Sequence, residues 1–172
     1  KVCTIVSILS PLTYWDRNID LAEKSINQWI NGEKVKVHIF KKNDRKVEKV
    51  LNFPSFIFDI DSFMNKNTGR KTYNFTYNLS QPTNPDYVTI DSFIISLACG
   101  LSEYSFSAKI NNKGYDVIKK QLTILAEKYD IVPCEMQAIL WSVSHRDNNS
   151  SYQDLISLVK EHDSEMVIEK YV

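Results

Sequence analysis

Asn65-Lys66-Asn67-Thr68-Gly69-Arg70-Lys71-Thr72, followed further on by Val88-Thr89-Ile90-Asp91, is the stretch on which the fold turns. Asn65 to Gly69 is turn chemistry, because asparagine and glycine reach backbone angles that most residues avoid. From Lys71 to Leu79 the side chains of Phe75, Asn78 and Leu79 fall on one side, the spacing of a helix. Gln81 to Asp86 holds two prolines and two polar turn residues and reads as a loop. Asp91 then stands directly before the apolar run Ser92 to Leu101. There a carboxylate oxygen accepts the free N–H groups of a first helical turn.

Working outward, the pattern stays helical. Tyr115, Ile118, Leu122, Leu125, Ala126 and Tyr129 form an amphipathic stripe. Pro133 suits the first turn of a following helix, whose inner face is expected to carry Met136, Ile139, Leu140 and Val143. Asp147 to Ser151 breaks that pattern, and Leu155, Ile156, Leu158 and Val159 predict a last helix. Upstream, Ile19, Ala22, Ile26, Trp29 and Ile30 recur at spacings of three and four, and Gly32 ends their helix. Val35 to Phe40 alternates briefly, but Lys41 to Lys46 follows so closely that the region reads as a connector. A short helix from Arg45 to Leu51 must stop before Pro54, since the residue before proline is pushed from helical angles. Phe56 to Phe63 fits either helix or strand. The expected class is mainly α, with residues 1–172 forming one domain.

Composition sets the outer bounds. The 172 residues, 43% hydrophobic and 12% aromatic, suffice for a real core. No stretch reaches the length of a membrane span, and Val2 to Leu9 lacks the basic flank and cleavage site of a secretion signal. A soluble, cytoplasmic protein without membrane partners is expected. Cys3, Cys99 and Cys134 are widely separated and odd in number, which suggests three small buried hydrophobes and no metal site. His38, His145 and His162 show no ligand spacing. Basic and acidic residues balance at 21 each, so any nucleic acid must be held by a local patch. Because the chain opens with Lys1 inside an apolar run, residues preceding it are expected.

The order Asn67-Thr68-Gly69-Arg70-Lys71-Thr72, helix, loop, Val88-Thr89-Ile90-Asp91 resembles the hairpin-to-aspartate stretch of endonuclease III and its relatives, the helix-hairpin-helix DNA glycosylases. Ile8-Leu9-Ser10-Pro11-Leu12-Thr13 resembles the start of that family's damage-probing loop, and Arg45-Lys46-Val47 its Lys-Ala helix. The likeness covers roughly residues 8–97. A nearer likeness, over most of the chain, is to a group of phage and plasmid proteins without known activity. It rests on Leu9-Ser10-Pro11, Trp15, Asn18 and Ala22; on Lys71-Thr72, Phe75 and Asn78; on Val88 to Asp91; and on Pro133, Gln137-Ala138, Trp141 and Arg146.

The glycosylase resemblance implies two helical lobes with a cleft between them: residues 1–30 with the C-terminal helices, and roughly 40–110 as the other lobe. It implies Lys71 as a nucleophile and Asp91 as the carboxylate that stabilises the cationic sugar. Backbone N–H groups of Asn67, Thr68 and Gly69, flanked by Lys66 and Arg70, would hold a DNA phosphate, and Leu12 would stand where the family has its wedge glutamine. Tyr73, Tyr77 and Phe93 are candidate walls for an extruded base. Phe93 replaces the family's histidine, Asn67 its first hairpin glycine, and no four-cysteine array follows, so no iron–sulfur cluster or other cofactor is expected. Trp15, Asn18, Gln137 and Trp141 read as a buried polar brace. The expected function is excision of a damaged or modified base by a phage-encoded N-glycosylase or glycosylase/lyase. The alternatives are a catalytically silent relative that binds DNA or a host protein, and modification of a base in a nucleotide.

Overall fold

The computed structural model describes residues 1–55, 58–65, 69–100 and 110–146, with the side chains of 144–146 excepted. Among the described residues there are eight helices and no strand. They are α1 (Val2–Leu9), α2 (Trp15–Ile30), α3 (Lys41–Asn52), α4 (Ile60–Phe63), α5 (Arg70–Ser80), α6 (Ser92–Ala98), α7 (Asn112–Lys128) and α8 (Pro133–Arg146). The mainly α class expected from the hydrophobic spacing is what forms. The last helix expected at Leu155 to Val159 lies outside the described residues.

The chain divides into two compact units, Lys1–Gln81 and Pro82–Val172. In the first, α1 is the central element. Every residue from Thr4 to Leu9 is buried, Thr4 and Ser7 included, as suits a mostly apolar helix, and α2, α3 and α5 each pack against it. Leu9 and Val47 are wholly inaccessible, and Val35, Val50 and Leu51 complete the cluster. Each such side chain contributes about 1.5–3 kcal/mol through burial. Within the first unit, α1 and α2 share their core with α3 and α5. The mostly apolar surface of α1 finds neighbours on several sides among the first 81 residues.

Two expectations shift. The buried face of α2 is Asn18, Leu21, Ala22 and Ser25, whereas Ile19, Trp29 and Ile30 are at least two-fifths exposed. Small Ala22 and Ser25 admit the close neighbour, and the Ser25 hydroxyl donates back to the Ala22 carbonyl at 2.7 Å. Gly32 does end this helix, with φ +73°, and Glu33 N–H donates to the Gln28 carbonyl at 2.8 Å, as in a Schellman termination. The second shift concerns α3, which starts at Lys41, inside the run read as a connector. Its buried face is Asn43, Asp44, Val47, Val50 and Leu51. The connector before it is fastened from the side: Asp44 Oδ1 accepts from Val37 N–H (3.3 Å) and His38 N–H (3.0 Å), Glu48 Oε1 from Val35 N–H (3.0 Å), and Gln28 Oε1 from Lys36 N–H (3.0 Å).

In the second unit, Val88 and Ile90 from an extended segment pack with α6, α7 and α8. The stripe Tyr115, Ile118, Leu122 and Ala126 is buried as expected, while Tyr129 is exposed. On α8, Met136 and Leu140 face inward but Ile139 and Val143 do not, being 48% and 36% exposed. Pro133 occupies the first helical position, where its missing N–H has no intrahelical partner to lose. The buried Tyr115 hydroxyl donates to the Val88 carbonyl at 2.9 Å and accepts from Ile90 N–H at 3.2 Å, which gives the extended segment the hydrogen bonds a neighbouring strand would supply.

Candidate active site

Lys71 sits in the first turn of α5, half-buried, and its ammonium has no hydrogen-bond or ion-pair partner among the described residues. α5 begins at Arg70, itself half-buried, with Gly69 as N-cap and Gly69 N–H donating to the Asn65 carbonyl at 3.1 Å. The glycine has φ −133°, an ordinary angle, and a Cβ added there would lie 3.6 Å from the Asn65 oxygen. Nothing in this position requires glycine: a side chain fits. Lys66, Asn67 and Thr68, the rest of the expected phosphate-binding hairpin, lie outside the described residues.

Tyr73 and Tyr77 follow on α5, each 7% exposed, with ring centroids 4.9 Å apart. The Tyr73 hydroxyl donates to the Asp61 carboxylate in α4. Burial, reinforced by the hydrogen bonds to Asp61 and Tyr77, pushes that hydroxyl well above its ordinary 10.0. In the unfolded chain the phenol releases its proton first. The resulting stability is complete below pH 10 and declines as the pH rises above it. Urea midpoints at pH 8 and pH 10.5 should therefore differ more for the wild type than for Tyr73→Phe; equal differences would show that Tyr73 does not govern the alkaline loss.

Leu12 occupies the tip of the turn between α1 and α2. Pro11 precedes it, Thr13 N–H donates to the Ser10 carbonyl at 3.3 Å, and Leu12 has φ +57°, the arrangement of a type II turn. A left-handed leucine costs about 1–2 kcal/mol, and this one is 63% exposed, so its own packing does little to offset that cost. Leu12→Gly should raise the unfolding free energy by about 1 kcal/mol in thermal or urea denaturation. A fall in stability would mean that the side chain has an anchoring contact.

Asp91 caps α6, its Oδ1 accepting from Ile94 N–H at 3.0 Å. This is the capping role legible from its place before an apolar run. Lys71 belongs to the first unit and Asp91 to the second. Phe93, expected as a wall of a base pocket, is 7% exposed and part of the second unit's core, so its ring is taken up in packing. Of the expected brace, Asn18 is buried and donates through Nδ2 to the Val6 carbonyl at 3.0 Å, within the first unit. Trp15 is 52% exposed and so is not a buried member. Gln137 is half-buried, and Trp141 packs against the second unit's core.

The three thiols are half-buried and unpaired as disulfides, less enclosed than three core hydrophobes would be. Burial pushes the thiols of Cys99 and Cys134 upward, and Cys134 Sγ donates to the Pro82 carbonyl at 3.1 Å. That environment favours the protonated thiol over the nucleophilic thiolate. No group of three or more metal-ligating side chains occurs among the described residues, and no helix among them is long and apolar enough to cross a membrane. Reading the sequence missed Tyr115 and the trio Gln28, Asp44 and Glu48 as fastening groups. Asp44 and Glu48 look like ordinary helix-surface acids until the segment they hold is seen beside them.

A family of unknown function, DUF7178, matches residues 1–149. No curated protein and no solved structure matches the chain.

Proposed function

The chain belongs to the DUF7178 family, whose description assigns no activity, and we propose that it is a phage-encoded DNA base-excision enzyme, an N-glycosylase with lyase chemistry, in which Lys71 is the nucleophile and Asp91 stabilises the transition state. The observation that carries this reading is Lys71 itself: a half-buried lysine at the start of α5, with no counter-ion among the described residues, within Gly69-Arg70-Lys71-Thr72. The match to the glycosylase motif at these four positions is what sets Lys71 apart from an ordinary surface lysine, whose stem is commonly part-buried while its charge stays in water. Exposed Leu12, held in a strained left-handed conformation, supports the reading as a group able to enter a base stack.

In the proposed reaction the neutral Lys71 amine attacks C1′, the N-glycosidic bond breaks, and the base leaves with a proton. The Asp91 carboxylate offsets the positive charge that builds on the sugar. Opening of the sugar ring gives an imine to Lys71, which borohydride reduces to a stable amine. The test is to incubate the protein with borohydride and duplexes containing uracil, oxidised purines, alkylated bases or abasic sites. A covalent adduct with at least one duplex is expected, and the absence of adduct with all of them, abasic sites included, would overturn the lyase chemistry.

A second reading, a catalytically silent DNA-binding or host-protein-binding relative, is favoured by one observation. Phe93, Tyr73 and Tyr77 are buried, leaving fewer aromatic groups to grip an extruded base. Tight DNA binding without base release on any substrate would select it.

A further inference from the structure

We propose that the exposed face of α3 is a binding tract for a nucleic-acid backbone, separate from the residues of the excision chemistry. Seven lysines and arginines lie between Lys34 and Lys49, against two acids, Asp44 and Glu48, in a chain whose overall charge is zero. Both acids are turned to structural use: Asp44 is buried and holds two backbone N–H groups of the connector, and Glu48 is half-buried and holds a third. The cations point the other way. Lys41, Lys42, Arg45, Lys46 and Lys49 are all exposed, and neither Lys41, Arg45 nor Lys49 has a carboxylate partner among the described residues. The local field is therefore far more positive than the composition suggests.

The shape of the tract identifies the polyanion. Lys41, Arg45 and Lys49 recur every fourth residue, forming a row along α3 that rises by about 6 Å per step and spans about 12 Å. The exposed apolar side chains lie before the helix, at its N-terminal end: Ile39 is 74% exposed, and the His38 ring, 3.3 Å from the Pro11 carbonyl, brings the turn bearing Leu12 beside that segment. A bilayer engaged by this apolar tip would meet Lys41 and Lys42 but leave Lys49 more than the roughly 8 Å screening length away. A nucleic-acid strand running along the helix meets the whole row. The tract shares its class of partner with the excision reading, but none of its residues.

Fluorescence anisotropy with single-stranded and duplex 20-mers tests it. The triple variant Lys41→Gln, Arg45→Gln, Lys49→Gln should bind at least tenfold more weakly at low salt and lower the slope of log affinity against log salt by about 2. Glutamine keeps the helix, and circular dichroism verifies that it has. A second triple variant, Lys113→Gln, Lys120→Gln, Lys128→Gln, makes the same change in net charge in the other unit and should bind nearly as the wild type does. Equal losses in the two triples, no binding of either oligonucleotide by the wild type, or binding to phosphatidylserine vesicles but not to oligonucleotides would each overturn the proposal. Lys71→Gln leaves the row untouched, so lost adduct with retained binding bears only on the chemistry. Normal binding by the α3 variant, with adduct formation intact in it, sinks the tract alone.

Discussion

Lys71→Gln is expected to abolish the borohydride-trapped adduct completely, because an amide nitrogen cannot form the imine that borohydride reduces. The fold should tolerate the exchange: Lys71 is only half-buried, makes no hydrogen bond or ion pair among the described residues, and sits in a helix that glutamine suits almost equally well. Asp91→Asn should act differently. Its amide oxygen can still accept from Ile94 N–H, so the cap on α6 survives, while the negative charge is gone. Loss of one well-placed electrostatic group slows a reaction by about 10² to 10³, and base release should fall by that much with DNA affinity and melting temperature nearly unchanged. Asp91→Ala would add a loss of about 1 kcal/mol in stability from the missing cap. If Lys71→Gln still formed adduct at the wild-type yield, the nucleophile would have to be sought elsewhere. Wild-type base release by Asp91→Asn would reduce Asp91 to its cap.

Tyr115→Phe should destabilise the protein by about 3 kcal/mol, a large effect for the removal of one oxygen atom. The hydroxyl is the hydrogen-bond partner of the Val88 carbonyl and of Ile90 N–H, in a segment where Val88 is fully buried and Ile90 is 2% exposed. Removing it orphans two backbone groups far from water, each costing about 1–3 kcal/mol. Urea denaturation gives the free energy, and hydrogen exchange locates it, since the Ile90 amide should exchange much faster in the variant. Unchanged stability and protection would mean that the extended segment is held by its apolar side chains alone.

Some features were legible from a few neighbouring residues. Asp91 before an apolar run is an N-cap, Gly32 after α2 is a left-handed terminator, and Pro133 opens α8, because capping and backbone angles are decided within one turn of helix. Other features were not legible. The periodicity of α2 pointed to Ile19, Ala22, Ile26, Trp29 and Ile30 as its inner face; Ala22 is buried and Ile26 packs against the core, but Ile19, Trp29 and Ile30 are exposed, and Asn18, Leu21 and Ser25 are buried in their stead. Both faces carry apolar residues, and the choice between them depends on how close a neighbouring helix can come. The first turn of α3 looked like a connector because its lysines and asparagine promise no core. Seen in place, its inward Asn43 and Asp44 are what tie it down.

The sequence by itself determined that the chain is mainly helical, where α2, α3 and α5 end, and that Lys71 would stand at a helix start with Asp91 before another. These properties follow from spacing, capping and proline chemistry, which act over a few residues. Tertiary structure alone decided that α1 would be the buried centre of the first 81 residues, that Tyr115 would complete a segment 25 residues away, and that Tyr73, Tyr77 and Phe93 would be buried. It also decided that α3 would turn its acids inward and its cations outward. Burial and long-range hydrogen bonding depend on which surfaces meet, and no local pattern of residues encodes that.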